Sequence, residues 1–163
     1  MTQYTHIRNA TGKLTIKNTT FLIDPFLAPK DTYPGFEGTF NYQQRMPIVD
    51  LPLSMDNLLS NVTAVVVTHT HLDHWDDTAI NAIPKSLPIF VQNTADKELI
   101  TSQGFNDVRI IFESLEFNSI TLRKTGGSHG TLEMYANPVL AQLAGDAMGV
   151  IFEAADEPTV YLV

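Results

Sequence analysis

The chain contains no cysteine. Disulfides, thiolate metal sites and a cysteine nucleophile are therefore excluded, and any bound metal must be held by histidine, carboxylate and water. It also lacks an unbroken run of about 18 apolar residues, the minimum for a membrane-spanning helix. The opening Met1-Thr2-Gln3-Tyr4-Thr5-His6 has neither the basic nor the apolar region of an export signal. A cytoplasmic location is the expectation that follows. Basic residues are scarce: 10 Lys and Arg stand against 18 Asp and Glu, a formal charge of −8. Such a surface repels phosphate backbones and anionic lipid, so neither nucleic acid nor a membrane is an expected partner. Repeats, low-complexity tracts and linkers are missing as well. The 163 residues, 44% of them hydrophobic, suit one domain with a proper core.

Three short segments, Thr5–Arg8, Lys13–Lys17 and Thr20–Asp24, read as the strands of a meander, with turns at Asn9–Gly12 and Asn18-Thr19. Pro25 closes the third, because proline cannot donate to a ladder. Between Ala28 and Pro52, prolines, two glycines and the aromatics Tyr33, Phe36, Phe40 and Tyr42 fall without periodicity. A loop of this length in a compact domain is usually functional or disordered, and the aromatic content favours an ordered one. A short helix is expected over Ser54–Leu59 with Ser54 as its N-cap. Val62–Val67 is a continuous apolar, β-branched run and reads as a fully buried strand. Asp76 and Asp77 suit the first turn of a helix through Ile83. A strand at Pro88–Gln92 and a helix at Thr94–Gln103, stopped by Gly104, come next. Strands are expected around Val108–Phe112 and Ser119–Lys124, followed by a loop at Thr125–Gly130. Gly149–Glu153 and Thr159–Val163 form a last strand pair.

The buried strand runs straight into Thr68-His69-Thr70-His71-Leu72-Asp73-His74. Four of the six residues from His69 to His74 can bind a metal. Side chains alternate in an extended segment, so His69 and His71 point the same way, as two ligands of one ion must. The turn that follows lets Asp73 and His74 reach a neighbouring position. A lone histidine is ordinarily a surface or core residue, but packing offers no reason to gather three with an aspartate behind a buried strand. Imidazole and carboxylate without thiolate suit Zn²⁺, and also Mn²⁺ or Fe²⁺. Fewer than four protein ligands per ion would leave a position for water, the mark of a catalytic rather than a structural site.

This stretch resembles the metallo-β-lactamase superfamily, whose hallmark His-x-His-x-Asp-His stands complete as His69-Thr70-His71-Leu72-Asp73-His74. The opening meander ending in Leu22-Ile23-Asp24-Pro25 fits the same family, and the chain looks closest to its ascorbate-6-phosphate-lactonase-like branch. The resemblance implies an α/β fold, the first αβ half, or slightly more, of a four-layer αββα sandwich, with residues 1–163 as one partial domain. It implies a first ion, most simply zinc, on His69, His71 and His129, the last from the loop Gly126-Gly127-Ser128-His129-Gly130. Asp73 and His74 would contribute to a second. In two-metal hydrolysis, ions about 3.5–4 Å apart acidify a bridging water and polarise the substrate. Asp73 would orient that nucleophile and shuttle its proton. The family bridges its ions with an Asp beyond a later strand. Thr159–Val163 looks like that strand, and the sequence stops at Val163. Gly145-Asp146 mimics the motif, but it follows Ala141–Ala144, which reads as helix.

Around the cluster, Asp24 is either a brace for the histidine loop or an ordinary Asp-Pro turn. Thr68 either braces that turn or is a plain strand residue. Trp75 either caps the core or stacks on substrate. The Tyr33–Arg45 loop is either a substrate flap, with Arg45 facing an anionic group, or a loop packed on its own aromatics. His6 reads as structural and Glu98 as part of a solvated face. The functional expectation is a metal-dependent hydrolase of a small ester, lactone or phosphoester. The alternative is a non-hydrolytic metal-binding half-domain or interaction module, self-associating through the open edge of its C-terminal strand. Redox chemistry with iron on the same ligands is a third reading.

Overall fold

The structure is a computed structural model and describes all 163 residues. Strands β1 (Thr2–Arg8), β2 (Thr11–Ile16) and β3 (Thr19–Ile23) form the expected antiparallel meander. β1 starts earlier than its apolar pattern indicates, because backbone pairing with β2 carries the polar Thr2-Gln3-Tyr4 along. The direction then changes. β4 (Ala64–Val66), β5 (Ile89–Val91) and β6 (Val108–Ile110) add in parallel, completing a six-stranded sheet in sequential order.

The parallel connections carry helices α1 (Met55–Leu59), α2 (Asp77–Ala82) and α3 (Thr94–Ser102). Each begins on a side-chain cap: Ser54, Asp76 and Asn93 accept the backbone N–H of Asn57, Ala79 and Asp96 respectively. Gly104, at φ +93°, takes the left-handed conformation that ends the last of them. Leu58, Ala79, Ile83 and Ile100 from the helical layer, with Trp75 and Phe105, pack on Leu22, Val65, Val67, Ile89 and Val91 of the sheet.

A second, antiparallel sheet holds β7 (Ser114–Phe117), β8 (Ile120–Gly127), β9 (Ala147–Glu153) and β10 (Val160–Leu162) in the order β10-β9-β8-β7. Its inner face, Ile120, Leu122, Met148, Val150 and Phe152, meets Leu14, Ile16, Phe21, Ile23, Val66 and Phe90 of the first sheet. Phe21 sits at the centre, its ring 5.1 Å from Phe152 and 6.4 Å from Phe90. Burying side chains of this size contributes about 1.5–3 kcal/mol each, so this seam clamps the sheets together. The layers run helix, sheet, sheet, which is the larger of the two extents expected.

Two departures concern the region that follows β6. β7 was not foreseen, because its hairpin to β8 turns on Asn118-Ser119, at φ 51° and 59°, without the glycine that normally signals such a turn. The expected loop from Thr125 is still strand through Gly127, since Thr125, Gly126 and Gly127 pair with Gly149, Met148 and Ala147. A Cβ on Gly127 would lie 2.9 Å from the Ala147 carbonyl oxygen, so only glycine admits that pairing. Helices α4 (Leu132–Ala136) and α5 (Pro138–Ala144) fill the excursion between β8 and β9. β10 is an edge strand; Tyr161 on it and Val163 just after it are exposed. No helix is long and apolar enough to cross a membrane.

Candidate metal centre

The histidine cluster stands at the carboxyl end of β4, in the row of parallel strand ends where open α/β sheets place their ligands. Asp24 leaves the end of the neighbouring β3 and its N–H donates to the Val66 carbonyl at 2.9 Å. Its φ of 42° is a left-handed conformation, tolerated by aspartate, and it turns a buried carboxylate over the end of β4. Oδ1 accepts the Thr68 N–H at 2.7 Å. Oδ2 accepts the Thr68 hydroxyl at 2.9 Å and His74 Nδ1 at 3.0 Å. With its one proton given to the carboxylate, the Thr68 oxygen must accept from His69 Nδ1, 3.0 Å away. One carboxylate thus sets two tautomers. His69 and His74 carry their protons on Nδ1 and keep their Nε2 lone pairs free. Asp24 and Thr68 are braces of the histidine loop.

The side chains of His69, His71 and His129 offer nitrogen atoms that all lie within 4.8 Å of one another. His69 Nε2 and His129 Nε2 are 3.1 Å apart. Two ligands of a tetrahedral zinc, each about 2.0–2.1 Å from the ion, stand roughly 3.3 Å apart, so this spacing fits one ion. Burial, reinforced by the charges of His74, His71 and His129, pushes the His69 pKa down to about 3. Burial and His129 lower that of His71 as well. Without a cation, the facing Nε2 atoms of His69 and His129 can only share one proton in a hydrogen bond, whereas a cation gives all three lone pairs a common partner. The three residues fit a metal ion.

His74 behaves differently. Burial opposes its charged form, but the Asp24 bond and the charges of Asp24 and Asp73 outweigh it and raise its pKa. Its Nε2 lies 3.9 Å from Asp73 Oδ2, within the span of about 4.3 Å that two ligands of a single ion can cover. Asp146 is exposed and outside the three-histidine group, while its backbone carbonyl accepts the Gln92 amide at 2.8 Å.

His129 is the exposed member, carried just past the end of β8. Its N–H donates to the Tyr135 hydroxyl at 3.1 Å, which donates in turn to the Gly145 carbonyl at 3.0 Å. Tyr135 therefore ties the His129 loop to the start of β9. Neither it nor Asp96, which accepts the Thr70 hydroxyl at 2.8 Å, shows any periodicity or spacing that sequence reasoning could have used. Trp75 is core: it is buried, donates to Gln103 at 2.8 Å and packs on Phe105. Arg45 spends its guanidinium on the carbonyls of Asp31 and Thr32 in its own loop, and Tyr33 stacks on Phe26. His6 bonds the Asn9 carbonyl, and Glu98 is exposed.

Beside His69 and His74 opens a cleft of about 410 Å³. Tyr4, Ala10, Met148 and Leu162 supply apolar wall, Asn9 and Ser128 add polar groups, and no lysine or arginine lines it.

The chain matches no protein-family model. It is 44% identical to UPF0173 protein YddR of Bacillus subtilis over 97% of its own length and 60% of that protein's. The crystal structure of a possible metal-dependent hydrolase from Veillonella parvula superposes with a TM-score of 0.98 at 96% identity, over the whole chain and 62% of that protein. An isothiocyanate hydrolase from Delia radicum gut bacteria superposes with a TM-score of 0.93 at 44% identity, covering 99% of this chain and 61% of that one. The metallo-β-lactamase fold protein YhfI of Bacillus subtilis, at 12% identity and a TM-score of 0.53 over 94% of this chain, shares the fold. This chain spans about three fifths of the length of the two closely similar structures and of YddR. Its fold is that of the metallo-β-lactamases.

Proposed function

We propose that this chain carries the metal centre of a hydrolase whose substrate is a small, uncharged electrophile, an isothiocyanate first and a lactone or simple ester next. The observation that supports it most is the convergence of His69, His71 and His129 within 4.8 Å beside an open cleft. His69, His71 and His129 hold one divalent ion, zinc foremost with manganese or iron as alternatives, and Asp73 with His74 contributes to a second. Metal bound there would supply acidified water and polarise the electrophile. Asp24 and Thr68 direct the single proton of neutral His69 and His74 to Nδ1, and the pKa of about 3 keeps His69 neutral down to acid pH. Asp73, a third exposed at the mouth of the site, orients the attacking water and carries its proton out.

The substrate class rests on the cleft and on similarity. The cleft offers no arginine or lysine to pair with the charge of a phosphoester, and its apolar wall suits a short organic tail. The 44% identical relative named as an isothiocyanate hydrolase favours an N=C=S carbon as the point of attack. The test is metal analysis with a substrate panel. One or two ions per chain, with isothiocyanate hydrolysis that disappears on chelation, is the expected outcome. His71→Ala should remove most metal affinity. A metal-to-protein ratio unchanged in that variant would sink the ligand set, and turnover of phosphoesters alone would sink the substrate class.

A further inference from the structure

Two polar groups at the histidine cluster lack a partner from the protein. Asp96, in the first turn of α3, is only 7% exposed. Its Oδ1 accepts the Thr70 hydroxyl at 2.8 Å, but its Oδ2 is buried and meets no donor from the protein. The other group is the imidazole of His71. His69 and His74 each have a partner at Nδ1, Thr68 and Asp24 respectively, whereas the His71 ring bonds to no protein group. Asp96 is near enough for its charge to act on the His71 ring, although burial and His129 dominate there.

The chain geometry explains the pairing. Thr70 stands between His69 and His71 in an extended stretch, so its side chain points away from theirs. Asp96 therefore grips the His-Thr-His segment from the face opposite the ion. An imidazole that gives one nitrogen to a metal turns its other N–H outward, and that N–H needs an acceptor. Asp96 Oδ2 is a buried acceptor without a donor, and the half-buried His71 ring has no acceptor from the protein for its N–H.

We propose that Asp96 is the positioning residue of His71: its free Oδ2 accepts, directly or through one water, the N–H that His71 turns away from the metal. Asp96 thus does for His71 what Thr68 and Asp24 do for His69 and His74. This rests on the metal-centre reading above. It ties α3 and the loop after β5 to the metal affinity of a residue after β4.

Asp96→Asn tests it, because the amide oxygen can still accept from Thr70 while the carboxylate is lost. Zinc affinity, read by competition with a chromophoric chelator, should fall about 10–100-fold, as for outer partners of metal-bound histidines. The melting temperature of the metal-free chain should not move. In long-range ¹H–¹⁵N spectra of the zinc-loaded chain, the hydrogen-bonded His71 N–H should shift in Asp96→Asn. It should hold its position in Thr70→Val, which cuts the backbone brace and leaves the carboxylate. Unchanged zinc affinity in Asp96→Asn overturns the proposal. So does a Thr70→Val loss as large as that of Asp96→Asn with the His71 resonance unmoved in both, since Asp96 would then only brace the backbone. A parent chain that takes up no zinc, cobalt or manganese overturns the metal-centre reading itself, and this inference with it.

Discussion

Substituting Asn for Asp24 replaces one carboxylate oxygen by an NH₂ group and leaves the side-chain volume almost unchanged. Asparagine tolerates the left-handed φ of 42° as well as aspartate does, so the backbone has no reason to move. The amide oxygen can keep the 2.7 Å bond from the Thr68 N–H. The NH₂ then occupies the place of Oδ2, facing the Thr68 hydroxyl and His74 Nδ1. Two donors would now confront a third. The hydrogen bonds can be remade only if His74 moves its proton to Nε2, or if Thr68 turns its hydroxyl proton toward His69 Nδ1 and drives that ring to the other tautomer. Either way an Nε2 lone pair in the site is lost. Loss of a charge-assisted bond costs about 1.5–3 kcal/mol of folding stability. Metal affinity should drop about 10–100-fold. Asp24→Ala should cost a further 1–3 kcal/mol or so, because it leaves the buried Thr68 N–H without an acceptor. The assay is urea unfolding of the metal-free chain, zinc titration, and ¹⁵N shifts of the His69 and His74 rings. If both rings stay protonated at Nδ1 in Asp24→Asn and zinc binding is unaltered, the tautomer argument is wrong.

Acid should destabilise the metal-free chain through His69. Its folded pKa of about 3 lies below the unfolded value near 6.5, so the unfolded chain binds more protons between those pH values and stability falls as pH falls through that window. The slope approaches about 1.4 kcal/mol per pH unit for one proton. His71, also lowered, adds to it, whereas the raised His74 contributes stability at acid pH that is lost as pH rises through its folded pKa. Urea midpoints from pH 7 down to pH 5 check this, and a flat profile that His69→Gln leaves flat refutes it. Tyr135→Phe should cost about 1 kcal/mol and weaken zinc binding by loosening His129, since the N–H of His129 and the carbonyl of Gly145 both lose their partner. Thermal melts with a zinc titration report both quantities, and wild-type affinity would show that the His129 loop does not depend on that bond.

The cluster was legible because its information is local. A β-branched buried run followed by His69, His71, Asp73 and His74 needs only the twofold alternation of a strand and the turn after it. His129 entered through resemblance to a family, since nothing in a sequence measures the distance across 60 residues. The helices around α1, α2 and α3 were legible for the same local reason: Ser54, Asp76 and Gly104 mark their ends within one turn of chain. β7 and the extension of β8 were not, because both depend on pairing partners, and a turn at Asn118-Ser119 carries no glycine to announce it.

What the sequence determined by itself was therefore the kind of chemistry: nitrogen and oxygen donors without sulfur, placed at a strand end. The tertiary structure decided which atoms are free to act. The proton on His69 Nδ1 follows from Thr68, the proton on Thr68 from Asp24, and Asp24 comes from another strand, 44 residues earlier in the chain than Thr68. Tautomers, buried acceptors such as Asp96 and the brace of Tyr135 are properties of contacts between distant segments, and only packing the sheets and helices together creates them.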